Sequence, residues 1–380
     1  MAPKKMLRKE GGMRRGCRRN RHSELLAGLF FLLFTNVPMG WAQQPGLNLA
    51  GSNQTGSVTA RPVGNLEDWS SLSLANSELI PDPPLLGEKY DNPQFTRELL
   101  QVKWRQGDPI DLYVIRPKGV AHPPAILYLY SYPSETEVFR GDAYCANVTK
   151  GGFAAIGFVS ALNGHRYTNR PMKEWFVSEL QESLGSSVHD VQMILNYLSI
   201  RGDLDVNRVG MFGDGSGASI AILAAAADPR IKTLDLLDPW GDWPDWIKES
   251  NRIPEKERPD YLKPEWLADV APLDPVKWLP ELKTQTVRIQ FIRDLKITPA
   301  DVQQKIEAAV PVSANVQVVH YENTDAFRAA IAGGTGFDWI KQKMEFKVVP
   351  DYAASGPSAQ SVSSQNQRKG PSSSTRDVQQ

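Results

Sequence analysis

Six short, continuously apolar runs fill the middle of this 380-residue chain, at 125–130, 153–159, 208–213, 233–237, 287–292 and 315–321. The stretches between them are long enough for helices. Strands that are apolar without alternation are buried on both faces, so this order predicts an α/β fold with a mostly parallel central sheet and helices on both sides. Upstream, residues 97–105 and 109–116 alternate apolar and polar side chains around Gln106-Gly107-Asp108, the pattern of an N-terminal antiparallel hairpin. Within 188–198, Val188, Val191, Leu195 and Leu198 share one helical face, broadened by Met193 and Ile194.

Length alone suggests two or three domains at about 150 residues each. Composition lowers that number. Residues 43–86 are rich in Gly, Asn, Ser and Pro and read as a flexible linker, and 348–380 hold eight Ser and five Gln in 33 residues, a disordered tail. One globular unit remains, 87–347, and an apolar fraction of 41% with ten Trp is enough for its core. Charge is zero overall but uneven: residues 1–24 carry nine Lys/Arg against two Asp/Glu, leaving 34 basic and 41 acidic residues beyond them. The rest is therefore acidic, which argues against a nucleic-acid partner. The basic start, the apolar run 25–39 and the small-x-small pattern Gly40-Trp41-Ala42 read as a signal peptide, 1–42, cleaved before Gln43. Export to the periplasm or outside the cell is the expectation, with a membrane anchor at 25–42 as the alternative. A mature chain would keep Cys145 alone, hence no internal disulfide.

The segment Val209-Gly210-Met211-Phe212-Gly213-Asp214-Gly215-Ser216-Gly217-Ala218 follows one apolar run and opens an Ala-rich helix. Two motifs compete for it. Gly213 and Gly217 fit the outer glycines of G-x-S-x-G, the sharp turn that lifts a nucleophile above a sheet, but the middle residue is Gly215. Gly213, Gly215 and Ala218 also fit the dinucleotide fingerprint G-x-G-x-x-A, with Asp235 or Asp238 placed for a ribose.

Context favours the first motif. The helix Asp190–Leu198, the Asp-rich turn Asp203-Leu204-Asp205 with Arg208, and Val209-Gly210-Met211-Phe212-Gly213 resemble α/β-hydrolases of the dienelactone hydrolase and prolyl oligopeptidase type. That resemblance extends over about 99–341 and implies an α/β-hydrolase fold. It implies a triad in the order nucleophile, acid, His, which falls here on Gly215, Asp294 and Asp325, the last within Tyr321-Glu322-Asn323-Thr324-Asp325-Ala326-Phe327. The loop that supplies an oxyanion donor reads Ser131-Tyr132-Pro133, without the usual His-Gly. Two of three triad positions thus lack their chemistry. Tyr132 and Ser216 are the remaining cleft candidates, and a glycine at 215 is expected to relax a turn that a serine would strain.

Five of the ten Trp lie within about 239–282, which reads as a cap insertion, and Trp240, Trp243 and Trp246 recur every three residues. They are read either as the cap's core or as an aromatic binding surface over the cleft. Of the histidines, His165 lies on a loop, His189 is read as a solvated helix residue and His320 as a structural strand-end residue. No metal or cofactor is implied. The expected function is ligand binding or scaffolding by an exported hydrolase-like chain that has lost its triad, with a small molecule or a protein as partner at the old cleft. The alternatives are an ester or peptide hydrolase with a nonstandard nucleophile and a dinucleotide binder.

Overall fold

The computed structural model describes residues 67–74, 81–105, 107–132, 135–162, 179–313, 315–332 and 338–347. The signal peptide, most of the linker, His165 and the Ser/Gln-rich tail fall outside these residues. Nine strands form one sheet: β1 (Leu85–Asp91), β2 (Phe95–Arg105), β3 (Asp108–Pro117), β4 (Pro124–Leu129), β5 (Ala154–Phe158), β6 (Asp205–Asp214), β7 (Ile231–Leu237), β8 (Thr286–Ile292) and β9 (Val316–Tyr321). Their order across the sheet is β1-β2-β3-β5-β4-β6-β7-β8-β9. The first three strands and β5 pair antiparallel, whereas β5-β4-β6-β7-β8-β9 is parallel throughout.

The apolar runs become the central strands because both of their faces find cover. In β4, Ala125, Leu127 and Leu129 point into one core with the helices Leu180–Arg201 and Ser216–Ala227. Ile126 and Tyr128 point into a second core with the helices Asp142–Thr149 and Asp338–Met344. Each such Leu or Ile withdrawn from water contributes about 1.5–3 kcal/mol. Glycine permits the closest approach on the second face, where a Cβ at Gly210 would lie 2.6 Å from the Met344 sulfur.

Two boundaries differ from the sequence reading. The linker span 43–86 contains both the start of β1 and a docked segment at 67–74, in which Leu72 is buried. Glu67 holds that segment to the body: its carboxylate takes Arg105 Nε and Nη2 at 2.5 and 2.6 Å and His189 Nδ1 at 2.6 Å. His189 is accordingly buried and not solvated, with Nε2 2.7 Å from the Ser71 carbonyl. Among the described residues no helix is long and apolar enough to cross a membrane.

Candidate functional site

The glycine turn sits where β6 hands over to the helix Ser216–Ala227. Gly215 adopts φ +54°, ψ −114°, a conformation that strains any residue with a Cβ. The turn has therefore kept its shape; it has not relaxed around the glycine. Its neighbours explain why. A Cβ on Gly213 would approach the Ala218 Cα to 2.5 Å, and one on Gly217 would collide with the Leu129 carbonyl. The outer glycines thus let the helix start against β4 and β6, and the turn's geometry does not depend on the middle side chain.

Above Gly215 a side chain would displace its neighbours. A Cβ there would meet Ser131 Oγ at 2.5 Å and Trp240 Nε1 at 3.2 Å. Beside it, the Tyr132 backbone N–H donates to Ser216 Oγ at 3.0 Å, so one serine hydroxyl fills the position in front of that donor. Ser219 fastens the cap to the same turn: its Oγ accepts from Trp240 N at 2.9 Å and bonds the Trp240 carbonyl at 2.8 Å.

Asp294 and Asp325 stand apart from this group. Asp294 is exposed and accepts from Thr324 N and Oγ1, each at 3.1 Å. Asp325 lies in the first turn of the short helix Thr324–Ala330, its side chain 87% exposed and paired with Arg328. Asn323 caps that helix by accepting from Ala326 N at 2.9 Å. His320 bonds Glu307 at 2.9 Å and stacks on Phe291, consistent with a structural role. Among the described residues no three His, Cys, Asp or Glu side chains group as metal ligands.

Between the two groups lies a recess that the sequence reading missed. It is lined by Asp214 at the end of β6, Asp238 just beyond β7, Arg252 from the cap, and Leu295, Ile297 and Phe327. Its free space, about 20 Å³, suits one or two water-sized groups. Burial pushes the Asp214 carboxyl up to about 6, with Arg252 pulling it partly back. Burial likewise raises Asp238 well above the usual carboxylate range, and the charges of Asp214 and Asp294 add to the rise. Asp238 has φ +44° and its Oδ1 accepts from Ile292 N at 3.1 Å. The only sequence signal for this pair is position: one Asp inside the glycine turn, one directly after the next strand.

The three tryptophans form a core and not a surface. Trp240 and Trp246 stack at 4.6 Å, Trp243 meets Trp246 edge-on at 5.9 Å, and all three are at most 1% exposed. Their three-residue spacing gave a shared side, but only Trp243 and Trp246 belong to the helix Trp243–Glu249. Trp240 reaches the space over Gly215 through its Nε1.

No protein-family model and no curated protein matches the sequence. Solved structures do. An acetyl xylan esterase from Thermoanaerobacterium sp. superposes with a TM-score of 0.54 at 15% identity, covering 70% of this chain and 89% of its own. Another from Paenibacillus sp. gives 0.54 at 14%, covering 72% and 90%. The Pyrococcus horikoshii acylaminoacyl peptidase gives 0.50 at 11%, covering 70% of this chain and half of its own length. The chain has the α/β-hydrolase fold. Gly215 is at the turn from β6 into the helix Ser216–Ala227, and the Tyr132 N–H lies beside it, bonded to Ser216 Oγ. The dinucleotide reading loses one of its acids, because Asp235 is buried mid-strand and holds Arg288 at 2.8 and 2.6 Å and Gln290 at 2.8 Å. Asp238, the other, is a wall of the recess.

Proposed function

We propose that this chain is a non-hydrolytic member of the α/β-hydrolase fold, a pseudoenzyme that binds a ligand beside the former nucleophile position after export from the cytoplasm. One observation carries the reading: the volume a nucleophile would need over residue 215 is taken by Ser131 and Trp240. Two further facts support it. Ser216 Oγ accepts the Tyr132 N–H that would otherwise face an oxyanion. The position where the resemblance puts a histidine holds an exposed Asp325 paired with Arg328. An acyl transfer without nucleophile and base keeps at most binding and oxyanion contributions, and here one oxyanion donor is already engaged.

The test uses a fluorophosphonate probe and a small activated ester. We expect no adduct and no turnover above background. A probe adduct mapped to Ser131, Ser216 or any other native residue would make the protein an enzyme and overturn the reading. Export rests on the leader alone. Mature protein is expected to begin near Gln43 outside the cytoplasm, and a retained leader in the membrane fraction would replace export by anchoring.

A further inference from the structure

The recess beside the elbow contains two buried carboxyl groups whose protein environment is incomplete. Among the described residues neither Asp214 nor Asp238 forms an ion pair, although Arg252 lines the same space. Asp238 is 1% exposed, yet among the described residues its Oδ2 meets no hydrogen-bond partner. Arg252 Nε is buried and likewise without one. Buried polar atoms of this kind are rare in folded proteins, and each marks either an unmet cost or a place for a ligand atom. The unmatched set is specific in kind: a carboxylate oxygen of Asp238 and a guanidinium N–H of Arg252, beside the buried carboxyl of Asp214.

A water molecule could serve Asp238 but would leave the net charge of two acids and one Arg unbalanced. An ammonium group would not. It is close to water in size, offers three donors, and supplies the positive charge that two adjacent carboxylates lack. Arg252 then requires an acceptor on the same ligand. We propose that this recess binds the protonated head of a small primary amine, its N–H groups on Asp214 and Asp238, with an oxygen on a neighbouring carbon facing Arg252 Nε. Amino alcohols and amino acids are the smallest members of that class. The inference deepens the non-hydrolytic binding reading by naming the chemistry of its ligand.

Several charged or ionisable groups surround the recess: Asp214 on β6, Asp238 after β7, Asp294 after β8, Arg252 from the cap, and Tyr130, which follows β4 and faces Asp214. Tyr130 and Tyr144 bond each other through their hydroxyls, and burial raises both phenols, so neither supplies a charge near neutral pH. The carboxyls are then the groups that gate an amine. Its binding requires both to be ionised, and protons compete for the same oxygens.

Calorimetric titration of the full chain with ethanolamine, propylamine and ethylene glycol tests this. Ethanolamine should bind, with affinity rising at least tenfold between pH 5 and pH 7, propylamine should bind more weakly, and ethylene glycol should not bind. Asp238→Asn should weaken ethanolamine at least tenfold. Arg252→Met should lower ethanolamine affinity to that of propylamine and so erase the preference between them, which tests the site even if the Asp238 variant fails to fold. Equal, pH-independent binding of ethylene glycol would overturn the proposal, as would no ethanolamine binding at millimolar levels or binding unchanged in Asp238→Asn. A fluorophosphonate adduct alongside intact ethanolamine binding would support the amine site and overturn only the non-hydrolytic reading.

Discussion

Two buried charge clusters in this molecule are built in opposite ways. In the first, Arg105 faces Glu67, Asp108 and Asp190 at 2.5–3.2 Å, Trp104 Nε1 donates to Asp190 at 3.0 Å, and His189 closes the set onto Glu67. Each of those acids has a cation in contact. In the second, Asp214 and Asp238 share a recess with an Arg252 that touches neither. The first cluster stitches residues 67–74 to the domain, and its charges are consumed by structure. The second leaves charge and hydrogen-bonding capacity facing free space. Burial alone therefore does not separate a structural acid from a functional one; the completeness of its partners does.

The largest expected effect breaks the first cluster. Arg105→Met leaves three buried carboxylates without their guanidinium and should cost about 3–5 kcal/mol in a denaturant titration. Arg252→Met, the equivalent change in the recess, should cost less than about 1 kcal/mol, since no ion pair is lost. Equal losses would erase the distinction.

The clusters should also respond to acid with opposite sign. Burial opposes ionisation of Glu67, but hydrogen bonds from His189 and Arg105 outweigh it and hold the carboxyl at about 2, below its ordinary 4.5. That lowered value contributes about 3 kcal/mol, fully present above pH 4.5 and lost as pH falls toward 2. Glu67→Gln should remove this acid-labile part from stability measured between pH 5 and pH 2. Asp214 runs the other way: raised from 3.8 to about 6, it leaves the fold undisturbed below pH 3.8 and destabilises it as pH rises through 6. Asp214→Asn should then match wild type at pH 3.5 and exceed it by up to about 3 kcal/mol at pH 7, in the absence of amine. A variant less stable than wild type at pH 7 would mean that Asp214 is already partnered.

A change at the elbow sharpens the boundary of the second cluster. Gly215→Ser places a Cβ at φ +54° and against Ser131 Oγ, and should cost about 1–3 kcal/mol without creating ester turnover. Appearance of turnover would show that the neighbouring groups can still act on a hydroxyl.

The sequence disclosed much of the sheet and little of the recess, for physical reasons. All six apolar runs became strands because two-sided burial writes itself into composition. β1 went unread because Leu85, Leu86, Gly87, Glu88 and Lys89 are exposed, and the strand is bulged between Leu86 and Glu88, so no alternation survives. The elbow was legible because its glycines are dictated by backbone contact, and Gly215, Ser216 and Tyr132 do converge there. Asp214 and Asp238 were not, because a carboxyl's partners are set by tertiary packing and leave no spacing behind. The same limit affected Trp240, Trp243 and Trp246, whose repeat specifies a side without specifying what covers it.

The two hydrogen bonds between Ser219 and the backbone of Trp240 have a mechanical consequence. They join the first turn of the elbow helix to the first residues of the cap, and the Trp stack continues that joint inward. The segment between β7 and β8 is thus tied to the elbow helix at its start. Amide exchange at Trp240 should be as slow as in β6.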